Sequence, residues 1–496
     1  MNQTVKNILY FLTAIVLAKF IGIFKSFSLA KILEPSNYGV WITLLLIYSY
    51  SGITTLGTIE ALLKQIPFHI GKKEINEVNR IENTTLFAIS LSAFITGLIS
   101  LIVIYTVPSI SSSEFIPIIR FMIVTTIIGY FSTYSYFRLS AYQKFKLVSI
   151  VDTLRAFLTF SLQVSFSILW GLKGAVIGFM LNETLICLFS SLMGIKHLGF
   201  VKYDFDFRYV KRLVTIGFPI TIVRWFFIIQ TSFDRLIIAS LLGKTAVGYY
   251  GLGVAITSIF ILIPQAIAKV LYPKINERFG KNLNKQDLIP LIKTPTNLLC
   301  IFIPIIISII VFVLPFIYFD LLSKYRPGLF SARILVLGTY FSSLLRNGTN
   351  FLIATNQSKL YLRHVTISFI FNILGNYTLI KLGYSIGGVA VSTVLSVFIL
   401  NSLVWVSVYK NLGYDRFRKI YELFKLYIPF IYLSLLILLF RLIIKNYLIT
   451  NNFKSFLYCA LLLSIYTVLI LVTPLYRAKM KEIYNLIKME VKKRVI

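Results

Sequence analysis

Apolar residues fill this chain in long blocks, parted by short polar breaks. In the first part the blocks run over about 8–33, 39–63, 84–107, 115–137, 147–169 and 174–195. In the second they run over about 213–242, 248–271, 288–319, 330–354, 360–382 and 387–409. Two more, about 424–444 and 456–475, precede a basic tail. A membrane-crossing helix needs roughly 20 consecutive apolar residues, so the pattern predicts about fourteen transmembrane helices and an all-α polytopic membrane protein. The first block is too long for a secretory signal and carries Lys19 in its middle, so it reads as a retained helix. KHLGFVKYDFDFRYVKR is the longest polar break of the first half. The expected organisation is a six-helix lobe over 1–197, a cytoplasmic linker over 198–211 and a second six-helix lobe over 212–409. Two additional helices over 410–475 and a basic cytoplasmic tail over 476–496 complete it. That tail suits a surface helix and a solvated segment equally well.

The polar breaks test the map. Alternate loops hold most of the lysines and arginines: Lys64, Lys72, Lys73 and Arg80, then Arg138, Lys144 and Lys146, then Lys196, Lys202, Arg208, Lys211 and Arg212. The alternation continues to the loop with Lys410, Arg416, Arg418 and Lys419, whereas VPSISSSEF has no basic residue. Basic loops stay on the cytoplasmic side, which puts both termini inside. Composition agrees: 57% of residues are hydrophobic and the mean hydropathy is +0.82, outside the range of a soluble domain. A net charge of +32 would point to nucleic acid in a soluble protein. Spread over membrane loops it sets topology and contacts anionic lipid, with no nucleic-acid partner. Cys187, Cys300 and Cys459 fall within predicted spans and build no disulfide framework.

Ionisable residues inside the apolar blocks are the candidate chemistry, because a charge at bilayer depth normally faces protein or a water-filled cavity. Lys19, Arg224, Glu183 and Arg346 count nearest to mid-bilayer. Asp234 and Arg235 lie about 15 Å beyond Arg224 at 1.5 Å per residue, towards the outer mouth. Two readings stand. The cations face a shared cavity and grip an anionic head group, Arg by two-point contact and Lys as a point charge. Alternatively Asp234 or Glu183 neutralises a neighbouring Arg and ties helices together. Those two carboxylates are also the candidates for ion coupling. Asn347, Asn350, Asn372 and Asn376 suit interhelical hydrogen bonding better than sugar binding. Gly174 and Gly178 read as close helix packing. His69, His197 and His364 lack metal-ligand spacing and no P-loop is present, so neither a cofactor nor enzyme chemistry is expected.

The halves repeat one another. LAKILEPSNYGVW at 29–41 aligns with IASLLGKTAVGYY at 238–250, each joining the first two helices of its half. AYQKFKL at 141–147 matches TNQSKLY at 355–361, and GLKGAVIG at 171–178 matches YSIGGVAV at 384–391. Six helices per half is an even number, so the repeats are parallel, with a cavity expected between two lobes.

These segments, with GFPI…DRLIIASLLGKTAVGYYGLG, VLYPKINE, FLIATNQSKL and GYSIGGVAVST, resemble Wzx-type polysaccharide flippases. Those belong to the multidrug/oligosaccharidyl-lipid/polysaccharide exporter superfamily, and the resemblance spans nearly the whole chain. It implies export, by alternating access through a cationic cavity, of undecaprenyl-diphosphate-linked oligosaccharide across the bacterial cytoplasmic membrane for O-antigen or capsule assembly. Proton or sodium coupling is implied, as are a polysaccharide polymerase and a chain-length regulator as partners beside membrane lipid. A lipid II flippase is the nearest rival. A drug/cation antiporter would want acidic cavity residues, and a polymerase or ligase a large outer loop, which the short breaks here do not supply.

Overall fold

The computed structural model describes residues 3–106, 115–203, 206–258, 285–443 and 452–473, with isolated positions between 260 and 279 and at 476. Side chains of 3–16, 223–224, 227, 440–443 and 452–459 lie outside that description. Among the described residues the protein is all-helical. Seven helices are long and apolar enough to cross a membrane singly, and one bent pair qualifies jointly. The chain is a multi-pass membrane protein, and its helices correspond to the fourteen passes expected. Packing divides it into two compact units, Met1–Gly251 and Leu252–Ile496.

The first unit contains α1 (Gln3–Ser51), α2 (Thr58–Gly71), α3 (Ile75–Thr106), α4 (Ile116–Ala141), α5 (Phe145–Leu198), α6 (Phe207–Leu241) and the start of α7 (Lys244–Thr257). α1 holds two passes. Its axis breaks at Glu34 (φ 60, ψ 169), just before Pro35, because a residue preceding proline is driven out of the helical region. α5 likewise folds back at Trp170 and Gly171, whose φ of +54 suits a residue without a Cβ. Beyond that fold Gly174 lies so close to Phe166 that a Cβ would come 1.8 Å from its carbonyl oxygen. The Gly174–Gly178 spacing is therefore close packing, within one hairpin.

The second pass departs from the sequence expectation of one helix over 39–63. After Ser51 the chain makes a 3-10 turn over Gly52–Thr55, and Leu56 (φ 47) and Gly57 (φ 90) are left-handed before α2 begins. The two pieces are bent by 56°. An interrupted helix frees carbonyls that hydrocarbon cannot satisfy, and neighbouring side chains take them. Tyr130 donates to the Ser51 carbonyl at 2.6 Å and Ser92 to the Thr54 carbonyl at 2.9 Å. The hydroxyls of Thr54, Thr96 and Tyr130 close a triangle of 2.6–3.1 Å.

At the predicted cytoplasmic end of this unit Arg138 and Glu82, both buried, form a two-point pair at 2.9 and 3.0 Å. Arg138 also donates to the carbonyls of Leu198 and Gly199. Asp206 caps α6 by accepting from the Tyr209 amide at 3.0 Å and takes Arg80 at 2.6 Å. The linker is thereby tied to α3 and α4.

The second unit contains α8 (Ile289–Phe316), α9 (Leu329–Ala354), α10 (Ser358–Lys381), α11 (Ser385–Asn411), α12 (Arg416–Ile443) and α13 (Asn452–Val472). Its asparagines bridge helices as expected: Asn347 donates to Thr296 at 3.0 Å and Asn372 to Thr393 at 3.4 Å, while Ser392 donates to the Asn372 carbonyl. His364 is buried against Ser407 at 2.8 Å. Tyr466 on α13 donates to the Ile301 carbonyl of α8, anchoring one of the two additional helices.

Candidate functional site

The aligned turns at 29–41 and 238–250 meet within the first unit. A Cβ on Gly39 would lie 1.8 Å from the carbonyl oxygen of Lys244, and one on Gly248 would lie 1.9 Å from that of Pro35. In the repeat alignment Gly39 corresponds to Gly248 and Pro35 to Lys244, so the contact is reciprocal. Backbone touches backbone at both ends of the crossing.

Around this crossing α1, α6 and α7 gather polar side chains. Asp234 is buried and accepts from the Tyr250 hydroxyl at 3.0 Å. Arg235 is half-buried; its guanidinium donates to the Thr231 carbonyl at 3.3 Å and sits in the fields of Tyr38, Tyr50, Tyr250 and Asp234. Tyr38 hydrogen-bonds Ser26 of the first pass. Tyr50 pairs with Ser232 at 2.5 Å and its ring lies 5.8 Å from Trp225, whose buried indole N–H has no partner among the described residues. Lys25, next to Ser26, is half-buried and makes no hydrogen bond or ion pair among the described residues. Lys25 lies nine residues before the Glu34 break, about 13 Å along the axis at helical rise. The Arg235 guanidinium, the Lys25 ammonium and several tyrosyl hydroxyls bring donors to this region, with Asp234 as a buried carboxylate.

The six residues singled out from the sequence scatter. Asp234 and Arg235 belong to this cluster. Glu183 is buried elsewhere in the unit and faces Arg155, at 3.8 Å. Lys19 is exposed on α1, and Arg346 is exposed on α9 of the second unit, in the field of Tyr361. Arg224 falls on α6, but its side chain lies outside the described residues. Nothing in the sequence pattern singles out Lys25, less than two turns beyond Lys19, or Arg155, three residues after Asp152. In the fold Asp152 accepts from Tyr136 at 3.1 Å.

A family described as polysaccharide biosynthesis protein matches residues 4–279, more than half of the chain. The chain belongs to this family. The matched segment holds every residue of the cluster just described. A putative O-antigen transporter of Shigella flexneri is 23% identical to this family member over 274 residues, 53% of this chain and 65% of that relative's length. Among solved structures, lipid II flippase MurJ in an inward closed conformation covers 93% of this chain and 99% of its own, with a TM-score of 0.70 at 17% identity. An inward-facing multidrug resistance MATE family transporter of the MOP superfamily covers 81% of this chain and 94% of its own, with a TM-score of 0.65 at 12% identity. At those identities the likeness is one of fold.

Proposed function

We propose that this protein is a flippase for a lipid-linked oligosaccharide, with undecaprenyl-diphosphate-linked sugar units as its substrate class, in surface polysaccharide assembly. The observation that carries the reading is the half-buried Lys25 without an ion partner among the described residues, in the same unit as Arg235 and its tyrosines. A buried ammonium is costly unless an anion neutralises it, and a diphosphate is such an anion. Arg235 supplies the planar fork that a phosphate takes up, Lys25 a mobile point charge. Family membership and the whole-chain likeness to flippase and exporter folds support transport rather than bond-making chemistry. Lys19, Arg224 and Arg346 are proposed as further cations along the route, with both termini cytoplasmic.

The test is export of lipid-linked sugar to the outer leaflet, scored against the amount of protein in the membrane. Lys25→Ala and Arg235→Ala should each cut export by about tenfold or more at normal abundance, and Arg235→Lys should keep part of it. Arg224→Ala should behave as Arg235→Ala does. If Arg235 serves only to balance Asp234, Arg235→Ala will lower abundance and Asp234→Asn will restore it. Full export by an abundant Lys25→Ala, Arg235→Ala double variant would sink the head-group reading. Rescue of a strain lacking its lipid II flippase, with no effect on surface polysaccharide, would replace the substrate class.

A further inference from the structure

The α5 hairpin contains polar groups that neither the cluster above nor the packing accounts for. Gln163 and Asn182 are wholly buried, and neither end of either amide has a partner among the described residues. The Ser167 hydroxyl is in the same position at 1% exposure. Glu183, at 3% exposure, has one carboxylate oxygen facing Arg155, while among the described residues neither the other oxygen nor the Arg155 Nε has a partner. The groups occupy neighbouring turns of the two arms. The Gln163 Cα lies 2.8 Å from where a Gly178 Cβ would sit, and the Ser167 amide 2.9 Å from that of Gly174. Asn182 and Glu183 follow Gly178 by little more than one turn. Leaving so many buried amide and hydroxyl atoms unbonded would consume a large share of a domain's stability.

We propose that the α5 hairpin holds a chain of ordered waters from Ser167 past Gln163 and Asn182 to Glu183, and that Glu183 takes up and returns a proton through it. Two features select water over a metal cation. The orphaned set mixes donors, the two amide NH2 groups, with acceptors, a match for water and not for a cation. Arg155 already sets a positive charge beside the carboxylate, so a second resident cation would be repelled. A proton arriving as hydronium binds the free Glu183 oxygen and leaves a water behind. The neutral acid then no longer holds Arg155, which keeps its 3.0 Å bond to Ser132. The other titratable groups in the field of Glu183 are Tyr48 of α1, itself in the field of Tyr130 of α4, and Cys187 one turn along α5. Phe179, packed edge-on against Trp41 and Tyr48, closes the side towards α1.

The proton site stands whatever the protein carries; only its use to drive transport rests on the proposed function. Infrared difference spectroscopy on the purified full chain in lipid, stepped from about pH 9 to about pH 4, reads it without any transport. Within the carboxylic-acid carbonyl absorption that grows on acidification, one component should shift with isotope-labelled glutamate and be missing in Glu183→Gln. Replacing both Gln163 and Asn182 by Leu removes the hydration that supports the anion, so that component's midpoint should move up by about one pH unit or more. Should Glu183→Gln fail to accumulate, the double variant and the isotope shift still decide. A carboxylate that stays ionised over the whole range overturns the proposal. So does a band whose midpoint follows sodium concentration instead of the double variant.

Discussion

Arg138 and Glu82 show how much a single buried pair carries here. Both side chains are nearly inaccessible, and Arg138 in addition holds two carbonyls at the end of α5. Removing one partner leaves the other charge buried alone, a loss of about 3–5 kcal/mol. Arg138→Met should therefore lower unfolding stability in detergent by about that amount, and adding Glu82→Leu should recover most of it. Nothing in the sequence pairs residues 56 apart, and Arg138 reads there as one more inside-loop cation. Asp206 is a milder case. The Tyr209 amide and then the Arg80 guanidinium hold its carboxyl below the usual carboxylate range. A depressed carboxylate stabilises above its unfolded pKa and loses that contribution as pH falls through the folded one. The cap on α6 should thus survive ordinary carboxylate titration and fail only in stronger acid, an order that hydrogen exchange of the Tyr209 amide can follow.

At the scale of elements, the broken second pass is the feature hydropathy could not reveal. SGITTLG keeps Ile and Leu in place, so the apolar run continues while the backbone leaves the helix. The trace in the sequence is the pair of glycines at its ends, with small hydroxyl residues between them. Tyr130 is what makes the break tolerable, since its hydroxyl serves the Ser51 carbonyl as well as Thr54 and Thr96. Tyr130→Phe leaves that carbonyl to the Thr54 hydroxyl alone, which donates to it at 2.9 Å, and should cost about 0.5–1.5 kcal/mol. Backbone exchange should rise at 51–57 before it rises in α4. If the segment exchanges as slowly as in the parent protein, the hydroxyl is dispensable. The kinks at Glu34–Pro35 and Trp170–Gly171, by contrast, sit at loops the polar breaks had marked, because proline and glycine act through the backbone and are visible without tertiary context.

For the molecule as a whole, the number of passes and the all-helical class were legible because lipid permits so few spanning structures. The site was legible only in part. Depth along a helix can be counted, but azimuth cannot, and azimuth decides that Lys25 is half-buried while Lys19 is exposed. Loop charge gives a further whole-chain expectation. In a cysteine-free background, a cysteine at Lys72 should be shielded from an impermeant thiol reagent in intact cells, and one at Lys324 should react. The reverse pattern would invert the topology. The reciprocal crossing of Gly39 and Gly248 is legible too, since the alignment of 29–41 with 238–250 pairs glycine with glycine there. Gly39→Val places carbon atoms where the Lys244 carbonyl already is, and should raise the labelling of a cysteine at Asn37 by about tenfold or abolish accumulation.

That crossing is a fastener without side chains. Joining it immobilises no rotamers, so closing costs little conformational entropy and parting regains little. The atoms that touch are uncharged backbone, so ionic strength has little to screen in the contact itself. A joint of this kind can be made and unmade many times with nearly the same free energy under different salt or acidity. Whatever sets the pace of the protein's cycle must then act elsewhere, on the groups around the crossing rather than on the crossing itself.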